Sequence, residues 1–297
     1  MRVTVLGASG FIGRCLTAAL RARGDAVVES SLRDPARAAE ASARTDVVVN
    51  LAGAPVSVRW TDASKGEMTR SRVDLPRAYL DALRRAAERP KAYVSASAVG
   101  YYGTSATETF VESSPPGADF LARLCVAWEA QADQAAELGM RVTKVRSGLV
   151  LGRGGGVLGK LLPVFRLGLG GVVASGAQWW SWIHIDDQVG IYLHAIDGAS
   201  GALNPIDGAD GILNATAPAP ATNRQFTRAL GAALGRPTLL PVPAFAGAVL
   251  FGDGALMLNE GQRVLPERTL ASGYVFRYPE LDAALRSLVG EPSRTGT

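Results

Sequence analysis

The sequence predicts an α/β fold built on a doubly wound parallel sheet, with a small separate region at its C-terminal end. Three observations predict it. Residues 2–30 run from an apolar strand through a glycine-rich turn into a helix and then a second strand. Strand-length apolar runs alternate with helical periodicity as far as residue 216. Beyond that point prolines, a helix and a short strand are mixed, which suits an appended unit better than a continuing sheet.

The first strand is Arg2–Leu6. Gly7, Gly10 and Gly13 follow at once as GxxGxxG, and Phe11–Arg23 is helical until Gly24 ends it. With 34 glycines in 297 residues the spacing alone decides little. The placement decides more. Glycines between a first strand and a first helix let the backbone turn tightly against a pyrophosphate, and the helix start offers that anion unpaired N–H groups and a positive dipole end. Gly7, Ser9, Gly10, Phe11, Ile12 and Gly13 are therefore candidate cofactor-binding residues in a Rossmann-type unit.

The second strand, Ala26–Ser30, bears on which dinucleotide is bound. An acid at its end would hold the ribose hydroxyls of NAD, and an arginine the 2′-phosphate of NADP. Glu29 falls within the strand and Arg33 just past it, where a guanidinium fork suits a phosphate. The expectation is NADP(H), with NAD(H) as the lesser alternative. TDVVVNLAG, residues 45–53, is a buried strand ending in a small-residue turn, which adds Leu51, Ala52 and Gly53 to the cofactor candidates. KAYVSASAVGYYG, 91–103, is a strand with Ser95, Ser97 and two tyrosines at its C-terminal end, where ligands bind in such sheets. RVTKVRSGLVLG, 141–152, reads as one further strand, SWIHIDD leads into a helix, and GILNAT, 211–216, closes the series.

Composition excludes several functions. Lys+Arg 31 against Asp+Glu 27 leaves +4, with the basic residues scattered, so the pI near 9.3 alone points to nucleic acid. The densest basic stretch, Arg70 to Lys91, is interleaved with Glu67, Asp74, Asp81 and Glu88 and reads as a solvated helix face. Cys15 and Cys125 are too few for a disulfide framework or a zinc site, and His184 and His194 too few for a histidine-based metal centre. No metal is expected. The apolar run AFAGAVLFG near residue 250 is well short of the roughly 18–20 residues that span a bilayer. A strand beginning at residue 2 leaves no visible signal peptide, so a cytoplasmic, reducing compartment is expected, with no membrane partner.

Taken together, the segments resemble the extended short-chain dehydrogenase/reductases, and within them the atypical "epimerase family" subgroup, 39U. The resemblance is carried by NLAG at Asn50–Gly53, GYYG at Gly100–Gly103, LC-x-x-WE at Leu124–Glu129, the GG-x-LGK-x-LP-x-FRLGLGG run at Gly155–Gly171, WIHIDD at Trp182–Asp187 and EGQRVLP at Glu260–Pro266. It spans nearly the whole chain. One departure is visible: relatives have room for an edge strand between strand two and the NLAG strand, whereas only the helix-like DPARAAEASAR stands here. The edge strand is expected to be missing and the adenine pocket more open.

The resemblance also exposes a gap. Ordinary members carry Tyr-x-x-x-Lys on the helix after the serine strand. The lysine lowers the tyrosine pKa from about 10, and the tyrosine protonates the substrate oxygen. Registered on Trp128-Glu129, this helix has Leu121 and Cys125 at those positions, and none of Lys65, Lys91, Lys144 and Lys160 lies in it. Ser97 remains. Tyr101, Tyr102 and His184 are conceivable substitute donors, and Cys125 is conceivable only with a depressed pKa; it reads better as packing, and His184 as a structural hydrogen bond. Ser97, Tyr101 and Tyr102 are the catalytic candidates. Two functions stay open: an NADP(H)-dependent oxidoreductase or epimerase-like enzyme on a small-molecule substrate, and a non-catalytic NADP(H)-responsive regulator.

The expected division is a cofactor-binding domain over 1–153, its core continuing through about 181–216, with 154–180 and 217–297 on the substrate side. Thr222 or Asn223 caps a helix that Gly235 ends, and Tyr274–Arg277 reads as a short strand. Gly154–Gly156 and Gly168–Gly171 read as hinges or plain turns, while Trp179, Trp180, Trp182 and Arg263 are candidate walls for a planar or acidic ligand, with Trp182 equally at home in the core. A homodimer is compatible with all of this.

Overall fold

A computed structural model describes residues 1–200, 211–239, 241–242, 253–255 and 259–290. The apolar run near residue 250 lies outside them. The chain opens with β1 (Arg2–Leu6), α1 (Phe11–Ala22), β2 (Ala26–Ser30), α2 (Pro35–Ser42) and β3 (Val47–Asn50). After α3 (Asp62–Thr69) the helix widens into a π-helical turn over Arg70–Asp74 before α4 (Leu75–Arg84). Then come β4 (Ala92–Ala98), β5 (Thr109–Phe110), α5 (Phe120–Asp133), β6 (Arg141–Ser147), β7 (Leu149–Gly152) and α6 (Gly156–Arg166). The remainder holds β8 (Trp179–Trp180), β9 (Trp182–His184), α7 (Ile185–Ser200), β10 (Ile212–Ala215), β11 (Ala221–Thr222), α8 (Asn223–Leu234), β12 (Arg263–Val264), α9 (Glu267–Ala271) and α10 (Leu281–Val289).

Six strands form one parallel sheet in the order β10-β6-β4-β3-β1-β2. β2 is the edge, and the short α2 replaces the strand that would have flanked it, as the shortened linker led one to expect. Strand order reverses beside β1, so the crevice for a ligand opens outside the carboxyl ends of β1 and β3. Val47, Val48 and Val49 are fully buried because helices cover both faces of the sheet, and each such side chain contributes about 1.5–3 kcal/mol of transfer free energy. One face packs Leu16 and Leu20 of α1 with Ile191, Tyr192 and Ala195 of α7; the other packs Ala38, Tyr79, Leu80 and Leu83 against Tyr93 and Ala132.

Two elements differ from the sequence reading. The 141–152 run is not one strand: it breaks at Gly148, and β7 leaves the main sheet to pair with β9. A side chain at Gly148 would run into the Ser181 carbonyl, so only glycine lets the chain switch partners there. Tyr274–Arg277 forms no ladder. Its backbone is held by the buried Asp187 carboxylate instead, which accepts from Arg277 N at 2.7 Å and Tyr278 N at 2.9 Å. A side chain does here what a neighbouring strand would have done.

Candidate functional site

The glycine turn is built as the spacing demands. Gly7 has φ +83°, and a Cβ on it would stand 2.9 Å from Ala52 N; a Cβ on Gly13 would collide with the Gly7 carbonyl oxygen. Turn, helix and NLAG loop thus approach more closely than any side chain allows. Gly10 is different: it is exposed, and its only close neighbour would be Gly7 O at 3.2 Å, so its open face is where a phosphate would lie. Gly10 is also the N-cap of α1 and provides no side-chain cap, which leaves first-turn N–H groups for an anion. Ser9 is exposed beside it, and the Phe11 ring is clamped by Gly152, Gly155 and Gly156, so those three glycines serve as seats for an aromatic ring.

Across the crevice, the NLAG turn is locked by Asn50. Its side-chain amide donates to the Tyr93 hydroxyl at 2.9 Å, and its oxygen accepts from Ala52 N at 3.1 Å. Leu51 N donates to Leu6 O at 2.9 Å, tying this turn to β1. Gly53 faces a residue that sequence reading passed over. The Arg72 guanidinium carbon would lie 3.0 Å from a Cβ at Gly53, and it sits 5.0 Å from the centre of the Trp128 ring. Arg72 is 9 % exposed, and among the described residues no carboxylate pairs with it; its one hydrogen bond, to Met68 O, is marginal at 3.5 Å. Burial pushes its pKa down. A buried guanidinium with no anion costs several kcal/mol unless a ligand pairs with it. Arg72 lies in the π-helical turn, a distortion common at functional sites. That break in helical period is the kind of signal a sequence scan misses, because Arg72 reads there as one more residue of a charged helix face.

Arg33 is exposed just past β2, and its positive charge helps to hold the Glu67 carboxyl below its usual range, behind the larger effect of the Arg70 hydrogen bond. Arg33, Glu67 and Arg70 therefore gather on the rim beside the bare edge of the sheet.

The catalytic candidates divide. Ser97 is 3 % exposed, and its hydroxyl donates to Glu129 Oε1 at 2.6 Å. Glu129 also takes Arg146 Nε at 2.7 Å and Nη2 at 2.8 Å, and Arg146 Nη1 donates to the Tyr102 hydroxyl at 3.0 Å, which in turn donates to Asn214 Oδ1 at 2.7 Å. Ser97 and Tyr102 have thus already committed their protons to a closed buried chain. Burial pushes the Tyr102 pKa up to about 12, which works against proton donation near neutrality. Tyr101 is placed otherwise. Its ring lies on the Arg146 guanidinium, 3.4 Å from carbon to centroid, and its hydroxyl makes no hydrogen bond to the described residues.

The helix α5 packs against the loop after β4. Leu121 and Cys125 both face Gly100, whose Cβ would stand 3.3 Å from Leu121 Cβ and 3.9 Å from Cys125 Sγ. Burial, with the Glu129 charge behind it, pushes the Cys125 thiol up to about 12, so it is packing and not a nucleophile. His184 is buried, stacks on Tyr278 at 3.9 Å, approaches Ser287 Oγ at 3.1 Å through Nε2, and accepts from Asp186 N through Nδ1. It is structural. Trp182 is fully buried with Nε1 on Ala219 O, and Trp180 packs on Phe226, so of the three tryptophans only Trp179 is left to line a cleft.

A parallel sheet with this strand order, a glycine turn at its switch point and a serine strand beside it defines a Rossmann-type protein of the short-chain dehydrogenase/reductase kind. The chain belongs to the NAD dependent epimerase/dehydratase family, whose model matches residues 3–205; a second model, a domain of unknown function (DUF1731), matches residues 242–288. The chain is 42% identical to the human epimerase family protein SDR39U1 over 97% of its own length and 100% of that protein's. It is 32% identical to epimerase family protein YfhF of Bacillus subtilis, over 98% and 99% of the two chains. Among solved structures, that of human epimerase family protein SDR39U1 with NADPH superposes with a TM-score of 0.88 at 40% identity, covering 98% of this chain and 100% of the other.

Proposed function

We propose that the protein binds NADP(H) and is an oxidoreductase or epimerase-like enzyme of the cytoplasm, acting on a small substrate by a relay other than Tyr-x-x-x-Lys. One observation carries the cofactor assignment: an uncapped α1 N-terminus and the buried, anion-free Arg72 face the same crevice between the β1 and β3 turns. A nicotinamide dinucleotide would supply hydride donation or acceptance. Gly7, Gly10 and Gly13 with the first-turn amides of α1 would hold its pyrophosphate, Arg72 would supply a positive charge beside the Leu51–Gly53 turn, and Arg33 would take a 2′-phosphate. The relative solved with NADPH supports that choice.

For proton movement the residue of choice is Tyr101. Its hydroxyl is uncommitted, and the Arg146 guanidinium beneath its ring fixes the ring's plane. Ser97, Glu129 and Arg146 act behind it as a rigid frame, since each spends its hydrogen bonds on the others. The experiment has two arms. Calorimetry with NADPH should detect tight binding to the wild type and none to a folded Gly10→Val variant, whose side chain would occupy the phosphate face. Turnover over a panel of carbonyl compounds should be negligible for generic ketones and quinones, and any activity found should be lost in Tyr101→Phe with NADPH affinity unchanged. A second reading, an NADP(H)-responsive regulator without turnover, is favoured by the enclosed Ser97 and Tyr102 hydroxyls; it predicts binding in the first arm and no substrate in the second.

A further inference from the structure

Several arginines in this fold are matched to acceptors. Arg146 has Glu129, Arg23 has Asp25 and Asp197, and Arg153 donates to Ser287 O and Gly290 O. Arg263, in β12, is an exception. It is half-buried, its Nε is fully buried without a partner, and among the described residues its guanidinium makes neither a hydrogen bond nor an ion pair. Its one contact of note is the Trp179 ring, 5.1 Å from guanidinium carbon to centroid. A stacking contact orients the guanidinium plane and leaves its N–H edge open.

The position of Arg263 gives that edge a use. The segment before it is strapped to the loop that carries Tyr101: Thr104 Oγ1 donates to Glu260 Oε2 at 2.6 Å, Ser105 N to Gly261 O at 2.9 Å, and Gln262 Nε2 to Val99 O at 2.9 Å. Arg263 is the next residue. Val264 then turns the other way into the small core with Tyr102 and Phe110, which leaves Arg263 on the opposite side of β12, against Trp179. The C-terminal region thus brings a fixed, unneutralised guanidinium to the loop that presents the uncommitted Tyr101 hydroxyl.

We infer that Arg263 is the anion-recognising residue of the substrate site and that the substrate carries a carboxylate or a phosphate group. The inference rests on the proposed role of Tyr101 in the substrate site. The guanidinium edge offers two parallel N–H donors to two oxygens of one oxyanion, and Trp179 holds it for that purpose before the ligand arrives. Arg72 would neutralise charge on the cofactor side, so these two guanidiniums divide the labour: one for the dinucleotide, one for the substrate.

The test uses the full chain loaded with NADPH and titrated calorimetrically with inorganic phosphate, with benzoate, and with benzamide as the uncharged control. Wild-type protein is expected to bind at least one of the two anions and not benzamide; phosphate binding marks a phosphorylated substrate and benzoate binding a carboxylate. Arg263→Met should weaken that binding at least tenfold, Arg263→Lys less, because a point charge keeps the attraction and loses the fork. Arg263→Gln serves the same comparison if the Met variant does not fold. NADPH affinity, titrated separately, should be unchanged in all of them. The proposal is overturned if the wild type binds neither anion, if benzamide binds as well as benzoate, or if anion affinity survives Arg263→Met. If NADPH itself fails to bind, the cofactor assignment fails alone, and the same anion titrations on the unloaded protein still decide the role of Arg263.

Discussion

Replacing Arg72 with Met tests the cofactor site most sharply, because stability and binding should move in opposite directions. In the wild type the guanidinium is 9 % exposed and has no carboxylate partner among the described residues. Keeping an ion there costs several kcal/mol after relaxation. Offsetting this is the contact with Trp128, 5.0 Å away, worth about 2 kcal/mol for a desolvated cation–π pair, and a marginal hydrogen bond to Met68 O. Met keeps the aliphatic stem and can pack on Trp128, so removing the charge should leave the cofactor-free protein as stable as before or more stable by about 1–2 kcal/mol. For a chain of this size that is a rise in Tm of roughly 1.5–3 °C. Binding should fall, since a charge-assisted contact to an anion is worth about 1.5–3 kcal/mol, or roughly ten- to a hundredfold in NADPH affinity. Thermal unfolding without cofactor gives the first quantity and calorimetry the second. A Tm that drops by several degrees, with NADPH affinity unchanged, would show that Arg72 is a structural prop and refute the reasoning.

Three further outcomes follow from the same geometry. Arg33→Ala should cut the preference for NADP over NAD by roughly ten- to a hundredfold, the worth of one charge-assisted phosphate contact; a wild type that prefers NAD, or an unmoved ratio in paired titrations, counts against Arg33. Glu129→Gln leaves Arg146 buried without its anion and should destabilise by about 3–5 kcal/mol in urea melts, while the double change Glu129→Leu with Arg146→Met should recover most of that loss; a single variant as stable as wild type would show that the pair is not a buried one. Cys125, buried and with its thiol raised to about 12, is overwhelmingly protonated at pH 8.5, so native protein at that pH should resist alkylation at Cys125 while urea-unfolded protein reacts at once. Rapid native labelling mapped to Cys125 by mass spectrometry would overturn its reading as packing.

Much of this protein is settled by the order of its residues. A strand, a GxxGxxG turn and a helix can meet only if Gly7 and Gly13 lack side chains, so the cofactor turn is legible wherever those three elements follow one another. The missing edge strand is legible too, because eleven residues of DPARAAEASAR cannot supply a helix and a strand together. The lack of a Tyr-x-x-x-Lys pair in α5 is a matter of inventory: the helix holds neither a tyrosine nor a lysine. The tertiary structure decided what depends on neighbours distant in sequence. Ser97, Tyr101 and Tyr102 look equivalent along the chain, yet Glu129, Arg146 and Asn214, arriving from three other elements, take up the hydroxyls of Ser97 and Tyr102 and leave that of Tyr101. Gly148 turns a predicted single strand into two because Ser181 stands against it. Arg72 and Arg263 are ordinary basic residues until folding surrounds them without supplying an anion. The charge of an arginine is written in the sequence; whether that charge is matched depends on which side chains the fold brings within hydrogen-bonding distance, and no local pattern of residues encodes that.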